Sequence, residues 1–321
     1  MAYKVLIPQD IVEEGKDYLR QRGYEIRIGS GISSERIAAD AAGCDAILIR
    51  TALIPASVLE AGKKLRVVSR HGVGTDNIDV AKATELGIWV TFAPESNANT
   101  VAEHTIGVLI ALARHFLSAD RAVREGDWGI RDRLAGSDLS GRVLGLVGLG
   151  KIGRRVAKKA ALGLEMKVMG YDPYLKPGKF PEHVTPVTNR DDIFAASDFV
   201  SLHLPATAST KGSVGEREIG LMKRTAFFIN AARGDIADES AVVTALRNGL
   251  IAGAAFDVFP KEPPEKENPL LGLDNVLLTP HNASLTKQCI IRMAVHAAQG
   301  IDEVLSGKRP TWPVNKPIPK R

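Results

Sequence analysis

Residues 144–153 read LGLVGLGKIG, and the run KVMGYD downstream ends on Asp172. Val143–Val147 is a short apolar run of strand type, and Arg154–Leu162 is a good helix former. Between them Gly148, Gly150 and Gly153 supply G-x-G-x-x-G. A glycine-rich strand-to-helix turn lets the backbone approach a pyrophosphate closely, and the helix N-terminus stabilises its negative charge. Asp172 closes a second apolar run, Lys167–Tyr171, 19 residues after Gly153. At that spacing an acid meets the adenosine ribose hydroxyls. A bare G-x-G-x-x-G marks a tight turn and nothing more. Strand, helix and acid together point to a dinucleotide, with Gly148, Gly150, Lys151, Ile152 and Gly153 at its phosphates and Asp172 at its ribose. A carboxylate there repels a 2′-phosphate, so NAD is favoured over NADP.

Outward from this turn the chain alternates apolar runs with amphipathic stretches, the pattern of parallel α/β layering. One series precedes the turn, with strands expected at Tyr3–Ile7, Tyr24–Ile28, Ala46–Ile49, Leu65–Ser69 and Ile88–Val90. A second begins at Val143 and continues through Lys167–Tyr171, Phe199–Leu202, Ala226–Asn230, Ile251–Phe256 and Val276–Leu278. A single long helix is expected from Asn99 to about Arg124, bridging the domains or forming a dimer contact, and another long amphipathic stretch from Ser284 to about Leu305. The second series holds the dinucleotide turn, so residues 98–285 form the cofactor domain. Residues 1–97 form the other, and the segment from 286 to 321, too short to fold alone, packs back onto it. The two connections make a hinge.

Composition bounds the class. With 321 residues, 45% hydrophobic and 25% charged, the chain is that of a globular protein of about two domains. A net charge of +5 is mild, and its basic residues are scattered, which argues against nucleic acid. The tail KPIPKR, Lys316–Arg321, reads as a solvated end. No run of 18 apolar residues exists, so no membrane span is expected. No secretory pattern precedes the first strand. Cys44 and Cys289 stand far apart without metal spacing and read as structural thiols. A cytoplasmic protein without a metal is expected.

Three groups in the second series carry chemistry. Asn230–Asp235 (NAARGD) follows a strand, and strand ends are where open α/β sheets place ligands. Arg233 there can hold a carboxylate bidentately; a surface ion pair explains it as well. Phe256–Pro264 (FDVFPKEPP) offers Asp257 and Glu262 in a loop whose path the prolines constrain, although a loop acid is usually just solvated. Thr279–Ala283 (TPHNA) offers His281, whose ordinary pKa near neutrality suits a proton carrier. Most loop histidines do nothing. His104 and His115 read as helix residues and His183 and His296 as peripheral, while His71 and His203 stand near glycines or prolines at strand ends. Jointly, an anchor, an acid and a base beside a nicotinamide site are what reversible hydride transfer at an alcohol carbon requires. One group takes the hydroxyl proton, a cation polarises the forming carbonyl, and an acid beside the His stabilises its protonated form.

Over nearly its whole length the chain resembles the D-isomer-specific 2-hydroxyacid dehydrogenases. The stretches GLVGLGKIGRRVA, SLHLPATASTKG, INAARGDIADE, GAAFDVFPKEPP and LTPHNAS carry the likeness. The resemblance implies two doubly wound parallel-sheet domains, a Rossmann NAD domain inserted in a flavodoxin-like substrate domain. It implies that Arg233 binds the substrate carboxylate and carbonyl oxygen, that His281 is the acid/base, and that Glu262 is its partner. It implies Asp257 at the nicotinamide carboxamide, with His203, Pro205, Thr210, Ala231 and Ala283 also on the cofactor. Formate dehydrogenases of this superfamily lack the Glu at the second position, so Glu262 argues against that activity.

Ser69–Asn77 (SRHGVGTDN) resembles the family's substrate loop, whose glycines let backbone N–H groups face a carboxylate. Within the family the likeness is to phosphoglycerate dehydrogenases, through Ile49-Arg50-Thr51, Arg70 and SNANTVAE, residues 96–103. It implies substrate contacts from Arg50, Arg70, Val73, Gly74 and Asn97, the two arginines suiting a phosphate. His71 in place of a small residue and Thr100 in place of the more usual Ser depart from that pattern. No regulatory domain follows in this chain, so control by serine is not expected. Glyoxylate, hydroxypyruvate or an aliphatic 2-oxo acid stay open as substrates. A homodimer is expected, with residues 99–124 and the loop that follows them at the interface. A non-catalytic NAD-sensing corepressor is the reading of another class. A partner-binding extension would speak for it, and none is seen.

Overall fold

The computed structural model describes residues 2–176 and 178–317. The tail expectation falls mostly on 318–321, outside the described residues. The chain divides into two compact units, Met1–Asn97 with Leu285–Arg321, and Ala98–Ser284.

The first unit starts with four β-α repeats: β1 (Lys4–Ile7), α1 (Glu13–Arg20), β2 (Glu25–Ile28), α2 (Ser34–Ala41), β3 (Ala46–Ile49), α3 (Ala56–Ala61), β4 (Val67–Arg70) and α4 (Val80–Glu85), then β5 (Trp89–Thr91). The strands run parallel in the order β2-β1-β3-β4-β5, the flavodoxin-like order, whose ligand crevice opens where β1 and β3 part direction. β3 is fully buried, which explains its unbroken AILI run.

The second unit opens with α5 (Ala98–Ala113), α6 (Phe116–Arg124) and α7 (Ile130–Arg133). The single helix expected from Asn99 to Arg124 is therefore two. His115 breaks it with φ +52°, and its ring rests 6.4 Å from that of Phe227. The largely apolar α5 runs on into the amphipathic α6, so apolar spacing alone hides the break. The unit continues through β6 (Val143–Val147), α8 (Lys151–Gly163), β7 (Lys167–Tyr171), β8 (Val184–Pro186), α9 (Arg190–Ala196), β9 (Phe199–Leu202), α10 (Glu216–Gly220), β10 (Phe227–Asn230), α11 (Glu239–Arg247), β11 (Gly253–Phe256) and β12 (Val276–Leu278). The seven strands run parallel in the order β12-β11-β10-β9-β6-β7-β8. Counted from β6, this is the doubly wound 3-2-1-4-5-6 order with one strand added. β8 has no counterpart in the apolar pattern: it is a three-residue edge strand ending in proline, too short and too exposed to show an apolar run.

The last helix, α12 (Lys287–Leu305), returns to the first unit. Thr286 caps it, accepting from the Cys289 N–H at 3.2 Å. Its inner stripe is small. A Cβ on Gly300 would stand 2.5 Å from Thr91 Oγ1, and Ser69 Oγ donates to the Ala297 carbonyl at 2.8 Å. Backbone and sheet therefore touch directly, and α12 completes a core that β1–β5 cannot close alone. Cys44 and Cys289 are both buried free thiols. Among the described residues no helix is long and apolar enough to cross a membrane.

Candidate active site

β6 and β9 are neighbours at the point where the second sheet reverses its winding, the expected ligand crevice of such a sheet. Gly148 leaves β6 with φ +97°, and a Cβ there would stand 2.4 Å from the His203 carbonyl oxygen. A Cβ on Gly153 would stand 2.2 Å from the Gly148 carbonyl oxygen. Only glycine fits either place. Gly150 is different: a Cβ there would meet nothing within 4 Å. Packing demands the outer two glycines, whereas the middle one keeps open a space that nothing in the protein fills. α8 starts at Lys151 and Ile152 with no side-chain cap at Gly150, so its first-turn amides are directed at that space. Asp172 sits beside it. Its Oδ2 accepts the Leu149 N–H at 2.9 Å and its Oδ1 the Tyr174 N–H at 3.0 Å. A pyrophosphate-bearing nucleotide fits this cradle by charge and by room.

His203 follows β9 directly, with its N–H on the Val147 carbonyl at 2.8 Å and Nε2 3.0 Å from Ser201 Oγ. Burial pushes its imidazole down to about 4, so the ring is neutral at pH 7. Pro205 and Thr210 lie in the following loop, tied together by the Thr210 hydroxyl donating to the Pro205 carbonyl at 2.6 Å.

The three chemical groups leave β10, β11 and β12, adjacent strands of the same sheet. Asn230, fully buried, closes β10 and shapes the turn after it: its Oδ1 accepts the Ala232 N–H at 3.1 Å and its Nδ2 donates to the Arg233 carbonyl at 2.9 Å. Arg233 Nη1 donates to the Ala232 carbonyl at 2.7 Å. Gly234 presses on the next loop so closely that a Cβ would lie 2.0 Å from the Phe259 carbonyl carbon. This contact seats the Arg233 loop on the Glu262 loop. Glu262 Oε1 accepts the Phe259 N–H at 3.0 Å, and its Oε2 stands 2.7 Å from His281 Nδ1. Both side chains keep substantial exposure, 37% for Glu262 and 49% for His281.

His281 holds φ +50°, the left-handed region uncommon for a residue with a Cβ. Asp257 explains how it is held there. That carboxylate, 3% exposed, accepts the Thr279 hydroxyl at 2.6 Å and the N–H groups of Asn282 at 2.9 Å and Ala283 at 3.0 Å. It grips the His281 loop from both sides. His104, on α5, stands behind, with Nε2 3.4 Å from Thr279 Oγ1 and 3.9 Å from Asp257 Oδ1. Burial lowers its pKa while the Asp257 charge opposes the shift. Ala231, Asp257, Thr279 and His104 line one recess at the ends of β10 and β11. The sequence singles out the segments NAARGD and TPHNA, but the loop-shaping parts played by Asn230, Gly234 and Thr279, and the place of His104 behind Asp257, come from the structure. A polar residue ending an apolar strand was the only signal for Asn230, and a buried histidine in a helix gives none.

In the first unit, Arg50 follows β3 and is exposed, its Nη1 donating to the Asp10 carbonyl at 3.1 Å. Arg70 ends β4, with Nε on the Gly74 carbonyl at 2.8 Å and Nη1 on that of His71 at 2.5 Å. Val73 and Gly74 are half-buried, and Asn97 is the unit's last residue before α5. His71 is buried rather than exposed in the loop. Desolvation, reinforced by the charges of Arg50 and Arg70, lowers its pKa to about 4. His183 and His296 are half-buried too, each with one ring nitrogen buried and unpartnered. Among the described residues no three of His, Cys, Asp and Glu gather in the manner of metal ligands.

Residues 106–283 match the family model described as D-isomer specific 2-hydroxyacid dehydrogenase, NAD binding domain. The chain belongs to the D-isomer-specific 2-hydroxyacid dehydrogenase family. A nicotinamide dinucleotide is thus the cofactor of the second unit. Among relatives, the D-3-phosphoglycerate dehydrogenase of Archaeoglobus fulgidus is 39% identical over 315 residues, covering 98% of this chain and 59% of that protein. A glyoxylate reductase of Korarchaeum cryptofilum is 37% identical over 327 residues, covering 100% of this chain and 98% of that one. The structure of an NADPH-dependent glyoxylate/hydroxypyruvate reductase from Sinorhizobium meliloti, in complex with NADP and malonate, superposes with a TM-score of 0.88 at 29% identity, covering 100% of this 2-hydroxyacid dehydrogenase family member and 99% of that chain. The chain spans about three fifths of the length of the archaeal phosphoglycerate dehydrogenases it matches.

Proposed function

We propose that the protein is an NAD-dependent oxidoreductase that interconverts a D-2-hydroxy acid and its 2-oxo acid. The observation that carries this reading is the His281–Glu262 pair at 2.7 Å, held on the same sheet end as a dinucleotide cradle. His281 Nε2, the ring nitrogen not bound to Glu262, takes the hydroxyl proton in oxidation and returns it in reduction. Glu262 fixes the ring's orientation and stabilises its charged form. Arg233 supports the carboxylate and the carbonyl oxygen, where negative charge develops. Bound NAD supplies the hydride acceptor. Gly148, Gly150, Lys151, Ile152 and Gly153 hold its phosphates and Asp172 its ribose. His203, Pro205, Thr210 and Ala231 flank it, and Asp257 and Ala283 meet the nicotinamide end.

In this reading the first unit is the substrate domain, contributing Arg50, Arg70, Val73, Gly74 and Asn97. 3-Phosphoglycerate and phosphohydroxypyruvate are the candidate pair. Glyoxylate or hydroxypyruvate reduction is the second reading, supported by the glyoxylate reductase from Korarchaeum cryptofilum and the reductase from Sinorhizobium meliloti. A homodimer accompanies the reading, supported by exposed Phe116, Leu117, Val123 and Trp128 on and after α6. NADH oxidation against glyoxylate, hydroxypyruvate, phosphohydroxypyruvate and longer 2-oxo acids tests the activity. Oxidation with none of them rejects it.

A further inference from the structure

The first unit carries two arginines at the C-terminal ends of neighbouring strands, and they are bonded in different ways. Arg50 follows β3 at the point where β1 and β3 part direction. Its loop is clasped by other side chains. Gln9 Oε1 accepts the N–H groups of Thr51 and Ala52, both at 2.8 Å, and Asn77 Nδ2 donates to the Ala52 carbonyl at 2.7 Å. The backbone is thus fixed, while the guanidinium, bonded once through Nη1 to the Asp10 carbonyl at 3.1 Å, stays exposed. Arg70 is the reverse case. Its guanidinium is itself the clasp, donating through Nε to Gly74 O and through Nη1 to His71 O, and so bridging both ends of the loop 71–74. Gly72 curves round it at φ +141°, and a Cβ there would stand 3.1 Å from Arg70 Nη1. A planar fork with fixed donor directions can hold two carbonyls at a set spacing, which a lysine ammonium cannot reproduce. Within the loop the His71 side chain is buried and uncharged, adding no competing charge.

We propose that Arg70 is a positioning residue that shapes the 71–74 loop, and that of the two arginines it is Arg50 that reaches the anionic end of the substrate. The assignment rests on the reading of residues 69–77 as the substrate loop. It has a consequence for specificity. Arg70 serves every 2-oxo acid alike, because what it controls is the direction of the loop's N–H groups. Discrimination between phosphorylated and unphosphorylated substrates lies with Arg50.

Amide hydrogen exchange of the full chain, combined with kinetics, tests this. Losing a charge-assisted hydrogen bond in Arg70→Lys should quicken exchange at residues 72–75 by roughly tenfold and raise KM by a similar factor for each oxo acid that is turned over, with a smaller effect on kcat. Gly72→Ala keeps Arg70 but displaces its guanidinium, and it should reproduce the exchange signature. Arg50→Lys should leave exchange at 72–75 unchanged while altering the kcat/KM ratio between phosphohydroxypyruvate and hydroxypyruvate, or, where only one is turned over, its KM. Unchanged exchange in both Arg70→Lys and Gly72→Ala overturns the proposal, as does a kinetic loss in Arg70→Lys confined to the phosphorylated substrate. If the wild-type protein reduces no oxo acid at all, the proposed function falls, and the exchange comparison still decides the role of Arg70.

Discussion

Glu262 and His281 meet at 2.7 Å between Oε2 and Nδ1, while the second oxygen of Glu262 is held by the Phe259 N–H at 3.0 Å. The carboxylate is thus tethered at one oxygen and presents the other to the imidazole. Removing the imidazole takes away the proton carrier. Turnover of His281→Ala should fall by about 10²–10⁴, with NADH binding, followed by fluorescence titration, almost intact. Glu262→Gln keeps an acceptor for Phe259 and should retain more activity than His281→Ala. Equal activity of His281→Ala and wild type rules out the base assignment.

Two glycines of the second unit meet opposite demands. A Cβ on Gly150 meets open space, so Gly150→Ala should leave the melting temperature nearly unchanged and weaken dinucleotide binding. A Cβ on Gly234 runs into the backbone at Phe259, and Gly234→Ala should lower both stability and kcat by separating the Arg233 and Glu262 loops. Melting curves with calorimetric NADH titration distinguish the two. Loss of stability in Gly150→Ala contradicts the account.

Asp172 holds the Leu149 N–H, and in the function proposed above its charge also disfavours a 2′-phosphate. Asp172→Asn keeps an acceptor for the turn and removes the charge. Its kcat/KM preference for NADH over NADPH should therefore shrink about tenfold or more, as expected for loss of a charge repulsion of about 1.4 kcal/mol. Asp172→Ala should show the same relaxed preference with weaker binding of both cofactors. An unaltered preference in both variants removes Asp172 from cofactor selection.

His71 and His203 are each neutral in the folded protein with values near 4, against about 6.5 in the unfolded chain. Between these values the unfolded state binds the proton and the folded state does not, so stability falls as pH drops from about 6.5 toward 4. Each contributes at most about 1.4 kcal/mol per pH unit in that window. The difference in melting temperature between pH 7 and pH 5 should be smaller in His203→Gln than in wild type. An identical pH dependence would mean that His203 takes up its proton in the folded state as readily as in the unfolded one.

The chain order of the residues was enough to read both parallel sheets, because buried parallel strands are continuous apolar runs and the glycine turn has fixed spacing. LGLVGLGKIG located β6, α8 and the cradle; AFFIN, AGAAF and VLL located the three strands whose ends bear Arg233, Asp257 and His281. The break at His115, the edge strand β8 and the grip of Asp257 on Asn282 and Ala283 were not legible. Each depends on what stands opposite in space: a ring beside Phe227, a neighbouring β7, a loop 25 residues further along the chain. The two arginines make the same point. Sequence treats Arg50 and Arg70 as equivalent cations at strand ends. Only the tertiary structure separates them, because a guanidinium's role is set by the acceptors within about 3 Å of its nitrogens, and those acceptors are supplied by the path of the folded backbone.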